Sequence, residues 1–433
     1  MFDHNFIPNK RFVWSIVLAT TLGASKVSAL TLNGAIEAAL KNNPALSMAR
    51  DAESSQKYKK YGANVSRLGE VTAIGNSTRY NLERTLVPVV PPIKPPYPPA
   101  DDTILNLGVS YTFPIFTGFK LSKNISIASL SYEIAKAQSS LTQKQVVYNV
   151  YSLFLKGLAL KEQLQAKLEQ EKALDELHKN IEVGVNVGRY VPIDLMKVDY
   201  QREMVKAQRQ GLEGSLTSLK SALNQLTGMD SEDWDFEAAE LTLKDTPSLN
   251  ELLQSALRDR EEISISERKK GIASANYSKA KFSYFPDINF NYLYYRTEGG
   301  GANLPIWNYG VSAQLPIFDF GKRGFEMAGQ KQDMKSAESA IAAQELAVRH
   351  EVVEAYSNLH TQTDTHAAAK KALDYAKETK DVENVKYQQG VGDMYDLLLS
   401  LSQYYDALSQ ERGTYYAIFT AEKYLEFASG GKL

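Results

Sequence analysis

The sequence predicts an α+β membrane protein in which long, coiled-coil-like helices carry a small set of β-strands. Three observations predict it: an internal repeat at a constant offset of 202, two stretches of helix-forming residues too long for a globule, and four segments of alternating polarity. Pro114, Ile115 and Phe116 recur as Pro316, Ile317 and Phe318; Val150 and Phe154 recur as Val352 and Tyr356; Gly188, Asp194 and Leu195 recur as Gly390, Asp396 and Leu397. Loops accept insertions cheaply, so an offset unbroken over about 80 residues points to one rigid element used twice.

The segment 1–29 differs from the rest: Lys10 and Arg11, a mostly apolar run from Phe12 to Ala24, then Val27, Ser28 and Ala29. This order predicts a secretory signal cleaved after Ala29, because the apolar run is too short to span a bilayer as a helix. The chain has no cysteine, which excludes disulfides and a cysteine-linked lipid anchor. Any membrane residence therefore rests on a β-barrel or on surface contact with lipid. With 49 basic against 51 acidic residues the chain is near neutral, and nucleic acid is not an expected partner.

From about Phe119 to Val187 there is no proline, and Leu130, Ile134, Ala137, Leu141, Tyr148, Tyr151, Leu155 and Leu158 fall at coiled-coil spacing. Such a rod would run roughly 100 Å at 1.5 Å per residue. Its counterpart at 322–388 also lacks proline. Each rod is followed by a break and a shorter return helix. Gly184, Gly188 and Pro192 mark the first break, with the return to about Leu226; Gly390 and Gly392 mark the second, with the return to about Phe427. Each return covers only half of its rod. Opening helices at about 32–68 and 249–284 have the length to stack end to end on the returns and complete a wall two rods thick.

Between opening helix and rod, each half alternates at period two. Leu105, Leu107, Val109, Tyr111 and Phe113 oppose Asn106, Gly108, Ser110 and Thr112; Trp307, Tyr309, Val311, Ala313 and Leu315 oppose Asn308, Gly310, Ser312 and Gln314. A third segment sets Ile288, Phe290, Tyr292 and Tyr294 opposite Asp287, Asn289 and Asn291, and a weaker fourth lies near 70–82. Alternation alone favours a half-buried soluble sheet over a membrane barrel with a wet interior. The signal segment, the aromatic residues and the rods favour the barrel. Four strands cannot enclose water, so a barrel requires strands pooled between subunits.

The opening helices align at an offset of 217, Leu32 with Leu249, so the first half carries 15 more residues before its rod. They fit the stretch 87–102, with Pro88, Pro91, Pro92, Pro95, Pro96, Pro98 and Pro99, expected as an extended polyproline II loop. The resulting organisation is a signal at 1–29, a first repeat at 30–228, a linker at 229–247, a second repeat at 248–428 and a tail at 429–433.

Catalysis has no candidate in the sequence, and no cofactor is expected. His350 and Glu351 begin a zinc-protease pattern, but Glu354 stands where its second histidine belongs. Gly299, Gly300 and Gly301 lie between two strands, so they read as a hairpin turn rather than a phosphate loop.

In its Leu-Asn openings at Leu32 and Leu249, its strand ends at Pro114 and Pro316, and its Gly-x5-Asp-Leu turns at Gly188 and Gly390, the chain resembles the TolC-like outer membrane factor family. The resemblance implies a homotrimer whose twelve strands form one outer membrane β-barrel above a periplasmic α-helical barrel. It implies passive export, in tripartite efflux or type I secretion, from an inner membrane pump of RND or ABC type through a periplasmic adaptor, or membrane fusion protein. On the same ground Asp194, Asp396 and Tyr387 would form the closable entrance, and Gly188, Arg189, Tyr190, Val191, Gly390, Val391 and Gly392 would face the adaptor. Gly392 and Leu399 depart from the family pattern, which carries an arginine and a second aspartate there; Arg189 is a candidate substitute for the arginine. An aspartate in the first turn of a return helix also serves the helix dipole in any protein, so Asp194 and Asp396 have a structural reading as well. The alternative function is a periplasmic coiled-coil scaffold without a pore.

Overall fold

A computed structural model describes residues 28–229, 234–239 and 241–431. The first copy runs β1 (Ser28–Leu30), α1 (Leu32–Asn42), α2 (Pro44–Val65), β2 (Glu70–Thr85), β3 (Ala100–Thr117), α3 (Lys120–Asn186) and α4 (Pro192–Thr227). After β4 (Trp234–Phe236), the second runs α5 (Leu249–Asp259), α6 (Glu261–Phe282), β5 (Asp287–Gly299), β6 (Ala302–Gln314), α7 (Lys322–Gln388) and α8 (Met394–Ala428). The rods α3 and α7 are 67 residues each, and their first residues, Lys120 and Lys322, keep the offset of the repeat. The openings keep the other offset, that of Leu32 and Leu249, which also separates the starts of α2 and α6 and of β2 and β5. No helix among the described residues is long and apolar enough to cross a membrane.

The predicted signal segment lies outside the described residues up to 27; Ser28 and Ala29, at its end, pair in parallel with Trp234 and Asp235 of β4. The expected linker thus contains a short strand. Trp234 and Phe236 are buried, with the Phe236 ring 5.2 Å from that of Phe154 in the middle of α3.

Each opening helix, expected as one piece, is broken in two. Asn43 is extended, as a residue before proline must be, and its Oδ1 accepts from the Ala45 amide at 2.9 Å to cap α2. Its Nδ2 donates to the Leu226 carbonyl at 2.8 Å, so the end of α4 meets the start of α2. In the second copy no proline forces the break. Arg260 is extended there and almost fully buried, donating to the Ala428 carbonyl at 3.4 Å and pairing with Glu262 and Glu351. The end-to-end stack is therefore present in both copies, held by different chemistry.

The four long strands, at 13 to 18 residues, form one antiparallel sheet in the order β2-β3-β5-β6. Its register lines Val71, Tyr111, Tyr292 and Tyr309 into one row and Ala73, Val109, Tyr294 and Trp307 into the next. The opposite face is polar: Thr297 donates to Asn106 at 2.7 Å and Asn291 to Ser312 at 2.9 Å. β2 and β6 are edges. The proline-rich loop bends at residues 91–92 and 95–96, so it is not a continuous polyproline II segment.

Candidate functional site

At the end opposite the sheet, both rods stop by the same device. Gly188 and Gly390 take left-handed φ of 77° and 75°. The Gly184 carbonyl accepts from Arg189 and Tyr190, at 2.7 and 3.3 Å, and at the equivalent place in the second copy the Lys386 carbonyl accepts from Val391 and Gly392, both at 3.1 Å. Pro192 then opens α4, whereas Asp393 caps α8 by accepting from the Tyr395 amide at 2.9 Å. Leu174, Ile181, Val198, Val205, Met394 and Leu397 form the core that joins the two hairpins here.

Tyr387 belongs to that core. Its ring stacks on Tyr190 at 5.4 Å with 16° between planes, and its buried hydroxyl has no hydrogen-bond partner among the described residues. Burial first, then the negative charge of Asp194, pushes the phenol well above its usual range and keeps it neutral. The Tyr190 ring fits only because residue 184 is glycine: a Cβ there would lie 2.0 Å from the ring. Arg189 lies over Tyr190, 5.5 Å from its centroid, and donates across to the Gln388 carbonyl at 3.2 Å. It thus reaches the second hairpin but grips a carbonyl there. Gly392 sits so close that a Cβ would approach the Tyr387 nitrogen to 2.9 Å.

The charged groups divide unequally. Asp194, mostly buried, lies 3.5 Å from Lys197, and the same ammonium lies 3.7 Å from Asp393 at the start of α8. The Tyr395 amide foremost, then Lys197, holds the Asp393 carboxyl below the usual range. Asp396 is exposed in the first turn of α8 and makes no ion pair among the described residues. Asp194 and Tyr387 are therefore brought together, and Asp396 stands apart. Leu399 lines an apolar groove between α4 and α8 with Ile193, Met196, Tyr200 and Tyr395. No cluster of His, Asp or Glu suited to a metal occurs among the described residues.

Sequence reasoning missed Gly184 as a ring seat, Lys197 as the cross-hairpin cation and Asp393 as a cap. Asp393 was findable, as an aspartate just before an apolar helical run. Lys197 showed only its i, i+3 spacing from Asp194; its second partner is distant in sequence.

One ring stack, one hydrogen bond to a carbonyl and one lysine between two carboxylates join the tips around a small core. Such contacts separate at little cost compared with the long helical interfaces above them.

The Outer membrane efflux protein family profile matches residues 35–230 and 252–431. Among solved structures, the Campylobacter jejuni CmeC outer membrane channel superposes with a TM-score of 0.79 at 17% identity, covering 99% of this chain and 94% of that one. The outer membrane protein VceC of Vibrio cholerae gives 0.79 at 17%, covering 92% and 96%. The open state of the Neisseria gonorrhoeae MtrE outer membrane channel gives 0.75 at 17%, covering 100% and 98%. No curated protein sequence matches.

Proposed function

This chain belongs to the outer membrane efflux protein family, and from that premise we propose how its parts serve export. It is a TolC-like outer membrane efflux channel of tripartite systems, extending into the periplasm, and a transport protein rather than an enzyme. Channels of this family work as trimers with efflux pump partners.

In our reading, three copies pool their strands into a twelve-stranded barrel and their rods into a tunnel. The tips at Gly188, Arg189, Tyr190 and Val191, and at Gly390, Val391 and Gly392, meet a periplasmic adaptor that couples the duct to an RND or ABC pump of the inner membrane. Drug efflux and type I secretion both fit a wide wet tube. Asp194 and Tyr387 set the closed entrance by holding hairpin to hairpin, and Asp396 attracts cations at its mouth.

The observation that carries this reading is a sheet with exposed aromatic rows and two open edges, standing on two rods of equal length. Cell fractionation tests it. A heat-labile trimer extracted from the outer membrane only by detergent is expected; recovery in the soluble periplasm would overturn the reading.

A further inference from the structure

The strand β5, Asp287–Gly299, has 13 residues and carries Ile288, Phe290, Tyr292 and Tyr294 on the aromatic face. Its length of about 40 Å gives roughly 30 Å along the membrane normal at a tilt of about 40°, just enough to cross the apolar band of an outer membrane barrel. The end at Asp287 therefore lies at the periplasmic edge of that band. The corner where strands give way to rods marks the same level, with Phe116 packed on Phe285 at 6.5 Å between centroids.

Just below this corner the charge of the chain becomes one-sided. Residues 54–69, at the end of α2, and 269–286, at the end of α6, together hold eight basic residues and no acidic one. Residues 118–132, at the start of α3, add Lys120 and Lys123, again without an acid. A chain of 49 basic and 51 acidic residues has no general excess that would explain such a collar. Carboxylates at the strand ends answer some cations of this level: Lys120 pairs with Asp287 and Arg323 with Asp319, both at 2.6 Å. Arg67, Lys123 and Lys281 make no ion pair among the described residues. The helix dipole favours cations at the ends of α2 and α6 but disfavours Lys120 and Lys123 in the first turn of α3, so it does not account for the collar.

The helix α6 shows which side of the wall these cations take. Glu267, Ser274 and Lys281, exposed at seven-residue intervals, form a stripe leading to Phe285, which packs on Phe116 opposite Ile288 of the aromatic face. Lys281 is therefore on the outside, four residues or about 6 Å below Phe285, within the depth of a headgroup layer. Lys269, two residues from Glu267, is exposed on the opposite side of the same helix. On α2, Arg67 corresponds at the offset of 217 to Tyr284, which stays 49% exposed although α6 has a rod on each side, so Arg67 remains open to its surroundings in the same way. We propose that the collar binds the phosphate groups of anionic phospholipids in the periplasmic leaflet, with Arg67 and Lys281 as its contacts. The proposal rests on the outer membrane placement and deepens it by naming the class of lipid. Charge complementarity and direct continuity with the apolar band both support that occupant.

Native mass spectrometry of the detergent-extracted full chain tests this, with phosphatidylglycerol and phosphatidylcholine of the same acyl chains as probes. The wild type should retain phosphatidylglycerol roughly ten-fold more than phosphatidylcholine at low salt, and the preference should shrink as salt is raised. Arg67→Gln with Lys281→Gln should remove most of that preference, whereas Lys269→Gln, on the other side of the wall, should leave it unchanged. The same spectra report whether each variant assembles; where one does not, the salt dependence of the wild type decides. Equal retention of the two lipids by the wild type, or a preference that survives the double substitution, would overturn the collar and leave the channel intact. Loss of the preference in Lys269→Gln alone would overturn the placement of the collar on the outside. A chain that needs no detergent and carries neither lipid would overturn both the collar and the membrane placement beneath it.

Discussion

Tyr190 stacks on Tyr387, ring centroids 5.4 Å apart, and so joins the turn of the first hairpin to the last turn of the second rod. The seat for Tyr190 is the missing side chain of Gly184. Gly184→Ala should expel the ring at a cost of about 1–3 kcal/mol, as overpacking does. The expected readout is a larger or more frequent single-channel opening with the melting of the detergent-extracted trimer little changed, since the long helical interfaces are untouched.

Tyr387→Phe separates two roles for this residue. A latch that works through the hydroxyl would be lost, whereas the buried, unpartnered hydroxyl predicts a tip as tightly closed or tighter, by about 1 kcal/mol. Open probability in planar bilayers distinguishes the two. The neutral phenol also has a pH consequence. Its pKa is raised, so the contribution is complete below the unfolded value, near 10, and is lost as pH rises through the higher folded value; the tip should loosen in strong alkali.

Lys197→Ala removes the cation between Asp194 and Asp393 and leaves the two carboxylates facing without it. Openings should become several-fold more frequent, roughly the effect of breaking two partly exposed pairs, and wild-type openings should rise as salt is added. Because the Asp393 pKa is lowered, its cap and its link to Lys197 hold above the ordinary carboxylate range and fail as pH falls through the lowered value. Openings should therefore increase below about pH 4.

The two end-to-end stacks give different costs. Asn43→Ala removes a cap and a hydrogen bond to the Leu226 carbonyl, about 2 kcal/mol. Arg260→Met strands Glu351 and Glu262 in a largely buried site and should cost about 3 kcal/mol. Thermal melting of the trimer should fall further for Arg260→Met; equal melting would contradict the assignment of Arg260 as the substitute for the proline break.

The sheet's two faces predict opposite tolerance. Trp307→Lys places a charge in the aromatic row and should cost about 2–4 kcal/mol if the row is at mid-membrane, whereas Asn308→Lys on the polar face should assemble normally. The yield of heat-labile trimer in the outer membrane measures the difference.

The long elements were legible because periodicity and the absence of proline act locally: α7 spans the same 322–388 read from sequence. The break at Asn43 was signalled by Pro44. The break at Arg260 had no such signal, because it is held by Glu351 and the Ala428 carbonyl, contacts 91 and 168 residues away. Strands of three residues, β1 and β4, are too short to show a period. At the tip, the glycines and Asp194 could be read from the repeat. The Lys197 to Asp393 pairing and the Gly184 to Tyr190 fit could not, since each depends on how the turns fold back.

Single-channel conductance of the purified protein in planar bilayers tests the central claim most directly. The account predicts a cation-preferring pore with rare openings in the wild type, frequent openings in Lys197→Ala, and a weakened cation preference in Asp396→Ala. Absence of any pore would contradict the duct, and a pore whose opening and selectivity ignore both substitutions would contradict the placement of its entrance at the hairpin tips.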